Sequence, residues 1–165
     1  MKKNIIAGFE KHVFNESYQR IFDCLNLLSE EEVWHCPNEA SNSVGVLIVH
    51  LIGNAQQWVV STLGGLQDNR NRAAEFSLNG EFKKEELLMA LSELKQRLEL
   101  TLSEINEQQL IKEHNVQCYQ ETGFAILLHV IEHFSYHTGQ IALLTKLIKN
   151  QDLGFYSNLD LGKTH

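Results

Sequence analysis

Apolar residues recur along most of this chain at spacings of three and four, the period of one face of an α-helix. Phe14, Tyr18, Ile21, Phe22, Leu25 and Leu28 mark a first helix over about Ile5 to Leu28. Ser29 with Glu32 three residues later reads as a capping box. It opens a short helix, Glu30 to His35, stopped before Pro37. A second long helix follows the polar Ser41-Asn42-Ser43, any of which can cap it, and runs to about Leu63, where Gly64-Gly65 ends it. Leu87, Leu91, Leu94 and Leu98 stripe a third helix over about Lys83 to Ser103. The fourth begins near Glu121-Thr122 and reaches about Lys149, while residues 104 to 120 read as irregular or partly extended.

The link between the second and third helices, Gly65 to Phe82, has about 18 residues at ~3.3 Å each when extended. A 20-residue helix is ~30 Å long. The link can therefore cross the whole molecule and let the third helix run parallel to the second. The expected fold is all-α: a four-helix bundle with one long crossover between helices two and three, a single domain over residues 1–165.

Composition narrows the function. The 165 residues include 43% hydrophobic and 21% charged side chains and a single proline, which is globular and helix-friendly. Acidic residues outnumber basic ones 21 to 14, for a net charge of −7. That charge argues against sequence-independent nucleic-acid binding, which needs a basic footprint. The apolar run Ile5 to Ala7 is too short for a signal-peptide core, and the longest one, Val44 to Ile52, contains His50 and falls short of a membrane span. Cys24, Cys36 and Cys118 are odd in number without CxxC spacing, so free thiols in a reducing cytoplasm are expected. Opposite His50, the second helix carries Val44, Ile48, Leu51, Ile52, Ala55 and Val59. That second apolar face is to be covered by the first helix or by another subunit, and a homodimer is the expected assembly.

The unusual count is eight histidines. The fourth helix reads His129-Val-Ile-Glu-His133-Phe-Ser-Tyr-His137. With His137 at 0° on an ideal helix, Ile126, Val130, Phe134, Ile141, Leu144 and Ile148 fall between about −20° and about +60°. His133 falls at about −40°, within that apolar stripe, and His129 at about −80°, on its border. His133 and His137 therefore form an inner pair able to share one metal ion. His50, with Asn54 and Gln57 on its own face, is the candidate third ligand. Three neutral imidazoles plus one free position suit zinc or nickel and permit Lewis-acid activation of a water, a thiol or a carbonyl. The competing reading is a hydrogen-bonded polar core. Asn54, Gln57 and Gln140 are candidates for orienting the rings. His12, His35, His114 and His165 read as surface or turn positions. Cys24 and Cys118 read as small core residues and Cys36 as an exposed thiol with no base beside it. Arg70 and Arg72, in the crossover with Glu75, either hold a ligand carboxylate or pin the crossover. Trp58 and Tyr136 either line a pocket or pack.

The strings His50-Leu-Ile-Gly-Asn54, Asn69-Arg-Asn-Arg72-Ala-Ala-Glu75-Phe76 and His129 to Gln140 resemble the DinB/YfiT-like superfamily of metalloproteins, in a bacterial branch of unknown function. The similarity extends to Trp34 and to Asp152-Leu-Gly-Phe-Tyr156. The resemblance implies an up-down-down-up four-helix bundle. It also implies a metal held by one histidine of the second helix and two of the fourth, which map onto His50, His133 and His137. Characterised members include bacillithiol-dependent thiol transferases and a mycothiol-dependent isomerase, whose metal activates a low-molecular-weight thiol. Relatives in the ergothioneine pathway carry a glutamate two residues after their second histidine on helix four. That position is Gly139 here, so the resemblance does not extend to their iron chemistry. The resulting expectation is a divalent-metal protein, acting as a transferase or hydrolase-like enzyme on an unidentified small molecule. A non-catalytic binding module is the alternative. His50, His133 and His137 are the expected ligands, and Asn54, Arg70 and Arg72 the residues expected to contact a cofactor such as a low-molecular-weight thiol. Neither nucleic acid nor membrane is expected as a partner.

Overall fold

A computed structural model of the chain describes residues 2–163; His165, expected at the surface, lies outside them. The apolar periodicity does become helix. The first helical stretch comprises α1 (Lys2–Phe9), a π-helical segment (Glu10–Tyr18) and α2 (Gln19–Leu27). The short α3 (Glu30–Trp34) opens on the predicted capping box, Ser29 Oγ accepting from the Glu32 amide and Glu32 from the Ser29 amide. The second long stretch is α4 (Val44–Ala55) continued by a π-helical segment (Gln56–Ser61). Of its three candidate caps, Ser43 is the one used, accepting from the Val46 amide. Then follow α5 (Arg72–Glu75), α6 (Lys84–Glu104), α7 (Glu107–Ile111), β1 (Glu113–Val116), β2 (Tyr119–Thr122) and α8 (Gly123–Lys149). Thr122 caps α8, and Asn150 closes it in the left-handed region at φ 50°.

Three expectations change. The stretch read as irregular holds a short helix and an antiparallel hairpin, Glu113 facing Thr122 and Val116 facing Tyr119. No apolar alternation announces it, since both strands are largely polar. Cys118, expected in the core, is exposed in the hairpin turn, whereas Cys24 is buried as expected. His114 is a half-buried strand residue whose Nε2 pairs with the Gln109 carbonyl at 2.9 Å. His12 and His35 are exposed.

The core is one continuous cluster. Tyr18 stacks on Phe134 with centroids 5.6 Å apart, tying the first helical stretch to α8. α4 packs against both α6 and α8. Val44, Ile48, Leu51, Ala55 and Val59 are fully buried within the chain, so its own helices already cover most of the apolar face opposite His50. By length and composition alone Val44–Ser61 could cross a membrane, a longer stretch than the apolar run ending at Ile52; 72% of it is buried inside the fold. Gly45 permits the close approach of α3, because a Cβ there would meet the Trp34 ring at 2.8 Å.

Candidate metal centre

Three elements build the site. α4 contributes His50, α8 contributes His133 and His137, and the segment between α4 and α6 contributes the residues that hold His50 in place. The ring nitrogens of His50, His133 and His137 include one from each that all lie within 4.8 Å of one another. The His50 and His133 Nε2 atoms are 3.1 Å apart. Two imidazole lone pairs at that distance need a positive centre between them, a shared proton or a cation. Nitrogens bound tetrahedrally at ~2.05 Å would stand roughly 3.3 Å apart, close to the observed pair.

The tautomers of two rings are set by their partners. His50 Nδ1 lies 2.8 Å from Glu75 Oε2. A carboxylate only accepts, so Nδ1 carries the hydrogen and Nε2 is left bare. His137 Nδ1 likewise donates to Gln140 Oε1 at 2.7 Å. His133 Nδ1 is buried without a partner. Burial first, then the positive ends of His137, His50, His129 and Arg70, holds the His133 imidazolium down at about 2. Burial also lowers His137, against the opposing effect of the hydrogen bond it donates to Gln140. Rings that stay neutral present lone pairs, which is the state a divalent ion requires. The donor set therefore fits a metal.

Glu75 is the residue that sequence reasoning did not assign. Burial pushes its carboxyl up, but hydrogen bonds from His50 and Arg70 and the Arg70 charge outweigh this, leaving it below the usual carboxylate value. Arg70 grips it with a fork, Nε to Oε1 at 2.7 Å and Nη2 to Oε2 at 3.0 Å. Both side chains are nearly dry, at 3% and 8% exposure. Gly53 makes room for them: a Cβ there would collide with Glu75 Oε1 and lie 3.0 Å from Arg70 Nε. The sequence signal for this arrangement was only a glutamate five residues after an arginine in a polar link.

The remaining candidates divide. Gln140 orients a ring, as expected. Gln57 stands one step further out, accepting from Arg70 Nη1 at 3.0 Å and donating to Asp68. Asn54 Nδ2 donates to His129 Nε2 at 3.3 Å rather than to a triad ring. Arg70 is engaged by Glu75, which is the pinning role. Arg70 and Arg72 both line a cavity of about 470 Å³, together with His50, His133, Asn54, Trp58 and His129, but Arg72 is free of the Glu75 fork. Trp58 stacks on His129 at 3.7 Å, forming one wall. The π-helical segment over Gln56–Ser61, seen in the Thr62 amide bonding the Gln57 carbonyl at 3.1 Å, carries Trp58. Such wide turns recur at functional sites. Tyr136 is largely exposed, its ring edge-on to His137 at 5.0 Å.

A family model described as a protein of unknown function (DUF1572) matches residues 7–159. The chain belongs to this family. Solved structures share the DUF1572 protein's fold. A DinB-like protein from Bacillus subtilis superimposes with a TM-score of 0.67 at 20% identity, covering 93% of this chain and 97% of its own. A conserved protein from Enterococcus faecalis gives 0.69 at 17% identity, covering 83% and 93%. A DinB-like protein from Bacillus cereus gives 0.68 at 15% identity, covering 87% and 93%. A search of curated proteins finds no match.

Proposed function

We propose that this DUF1572 protein is a divalent-metal protein, a transferase or hydrolase-like enzyme that activates a thiol or a water at His50, His133 and His137. The observation that carries the reading is the gathering of three imidazoles within 4.8 Å, two of which, His50 and His133, line a cavity. Zinc or nickel suits three neutral nitrogen donors. Such an ion, when bound, supplies Lewis acidity at the position the protein leaves free.

The chain's own residues do the rest. Glu75 and Gln140 hold two rings with Nε2 bare. Arg70 keeps Glu75 ionised and fixed. Trp58 and His129 wall the cavity. In the same reading the four long helical stretches form the up-down-down-up bundle, with the segment holding Glu75 as its crossover. The protein acts as a cytoplasmic homodimer on a small molecule.

Metal analysis of untagged protein is the first test, followed by a screen of thiols against electrophiles with and without chelator. Stoichiometric zinc or nickel and chelator-sensitive turnover support the proposal. Metal content unchanged in His137→Ala would refute the ligand set, and tightly bound metal without turnover would reduce the protein to a binding module.

A further inference from the structure

The cavity beside the histidines carries charge of both signs that the protein does not neutralise. On one side stands Arg72. Its guanidinium lies 5.0 Å from the Phe76 ring centroid, and that ring lies 4.9 Å from the His50 ring. The cation is therefore within about 10 Å of His50. Among the described residues Arg72 has no acid partner, in contrast to Arg70, whose fork closes on Glu75. Glu121 and Glu132 also line the cavity, and among the described residues neither side chain has a cation partner. Both act electrostatically on His129, whose ring centroid is 5.5 Å from that of His133. Two residues of the wall also hold buried polar atoms without partners, Asn54 Oδ1 and Trp58 Nε1.

Each charge disfavours a ligand of its own sign. A purely anionic ligand would be repelled by Glu121 and Glu132, and a purely cationic one by Arg72. The cavity, at about 470 Å³, is of small-molecule size. We propose that the ligand taken here is amphoteric: a metal-binding donor atom flanked by a carboxylate that meets Arg72 and an ammonium that meets Glu121 and Glu132. The assignment rests on the metal reading above and adds to it the substrate's charge pattern.

The test uses the whole protein loaded with cobalt(II), whose absorption reports thiolate binding. Three probes of equal length are titrated: 6-mercaptohexanoate, 6-aminohexane-1-thiol and the uncharged 6-mercaptohexan-1-ol. Their chains are long enough to reach the rim from the metal and too long to chelate it through both ends. Arg72→Gln should weaken the mercaptoacid about tenfold or more, the scale of a lost charge-assisted hydrogen bond, and leave the mercaptoalcohol within about twofold. The double substitution Glu121→Gln/Glu132→Gln should weaken the aminothiol in the same way and spare the mercaptoacid. Variants that shift all three probes alike, or none, overturn the amphoteric ligand. A cobalt site that no probe perturbs overturns the free coordination position itself, an outcome distinct from binding that ignores charge.

Discussion

Glu75→Gln separates the metal reading from ordinary packing. The substitution keeps the volume but removes a charge held by three short contacts, from His50 Nδ1 at 2.8 Å and Arg70 Nε and Nη2 at 2.7 and 3.0 Å. An amide oxygen at the Oε2 position still accepts from His50 Nδ1 and Arg70 Nη2, but without the charge, and the NH2 group then faces the Arg70 Nε donor. Arg70, 3% exposed, is left as an uncompensated buried cation. Breaking a buried pair in this way costs about 3–5 kcal/mol. At this chain length each kcal/mol lowers Tm by about 2–4 °C, so the expected loss is roughly 6–20 °C. His50 also loses the charged acceptor that fixes its tautomer, and metal affinity should fall ~10–100-fold. Thermal unfolding of the metal-free protein and a competition titration with a chromophoric chelator measure the two effects separately. Arg70→Met/Glu75→Gln removes the orphaned cation as well, and should recover most of the stability but none of the metal affinity. A Glu75→Gln protein with unchanged Tm and unchanged affinity would refute the reasoning, as would a double variant that merely adds the two losses.

Replacing His50, His133 or His137 singly by alanine should abolish stoichiometric metal, whereas His129→Ala should retain it; elemental analysis of the purified variants distinguishes them. Gly53→Ala should disturb the centre without touching a ligand, since its Cβ would press on the Arg70–Glu75 pair. A loss of about 1–3 kcal/mol together with weaker metal binding is expected, read by denaturant unfolding and the same chelator competition. The metal-free fold should weaken as pH falls. His133 is neutral in the folded chain down to about 2, against an ordinary value of 6.5. Its contribution is therefore complete above about pH 6.5 and is lost progressively below it, because the unfolded chain binds the proton first. The lowered Glu75 acts in the same direction below its ordinary 4.5. Urea midpoints that do not fall between pH 7 and pH 5 would contradict this.

The helices and the inner pair His133 and His137 were legible because both follow from short-range periodicity; His50, 83 residues before His133, was indicated only by its polar helix face and the family resemblance. Positions four apart share a helix face whatever the rest of the chain does, so His133 and His137 had to lie together, and the surrounding apolar stripe told which way they point. Ser29 with Glu32 announced its own cap for the same reason. The hairpin over Glu113–Thr122 was not legible, because its two strands pair through backbone and carry no apolar alternation. The π-helical segments were invisible as well, since one added residue in a turn leaves the residue types unchanged.

The sequence by itself determined that this chain is helical and that His133 and His137 share one helix face; that His50 meets them was decided by the fold. Only the tertiary structure decided that Glu75 and Arg70 lock His50. Only it showed that Arg72 is left over at the cavity while Arg70 is not, and that Trp58 stacks on His129. The reason is physical: helix periodicity is set within a few residues, whereas a contact between residues 25 positions apart, as from His50 to Glu75, depends on where an irregular link comes to rest.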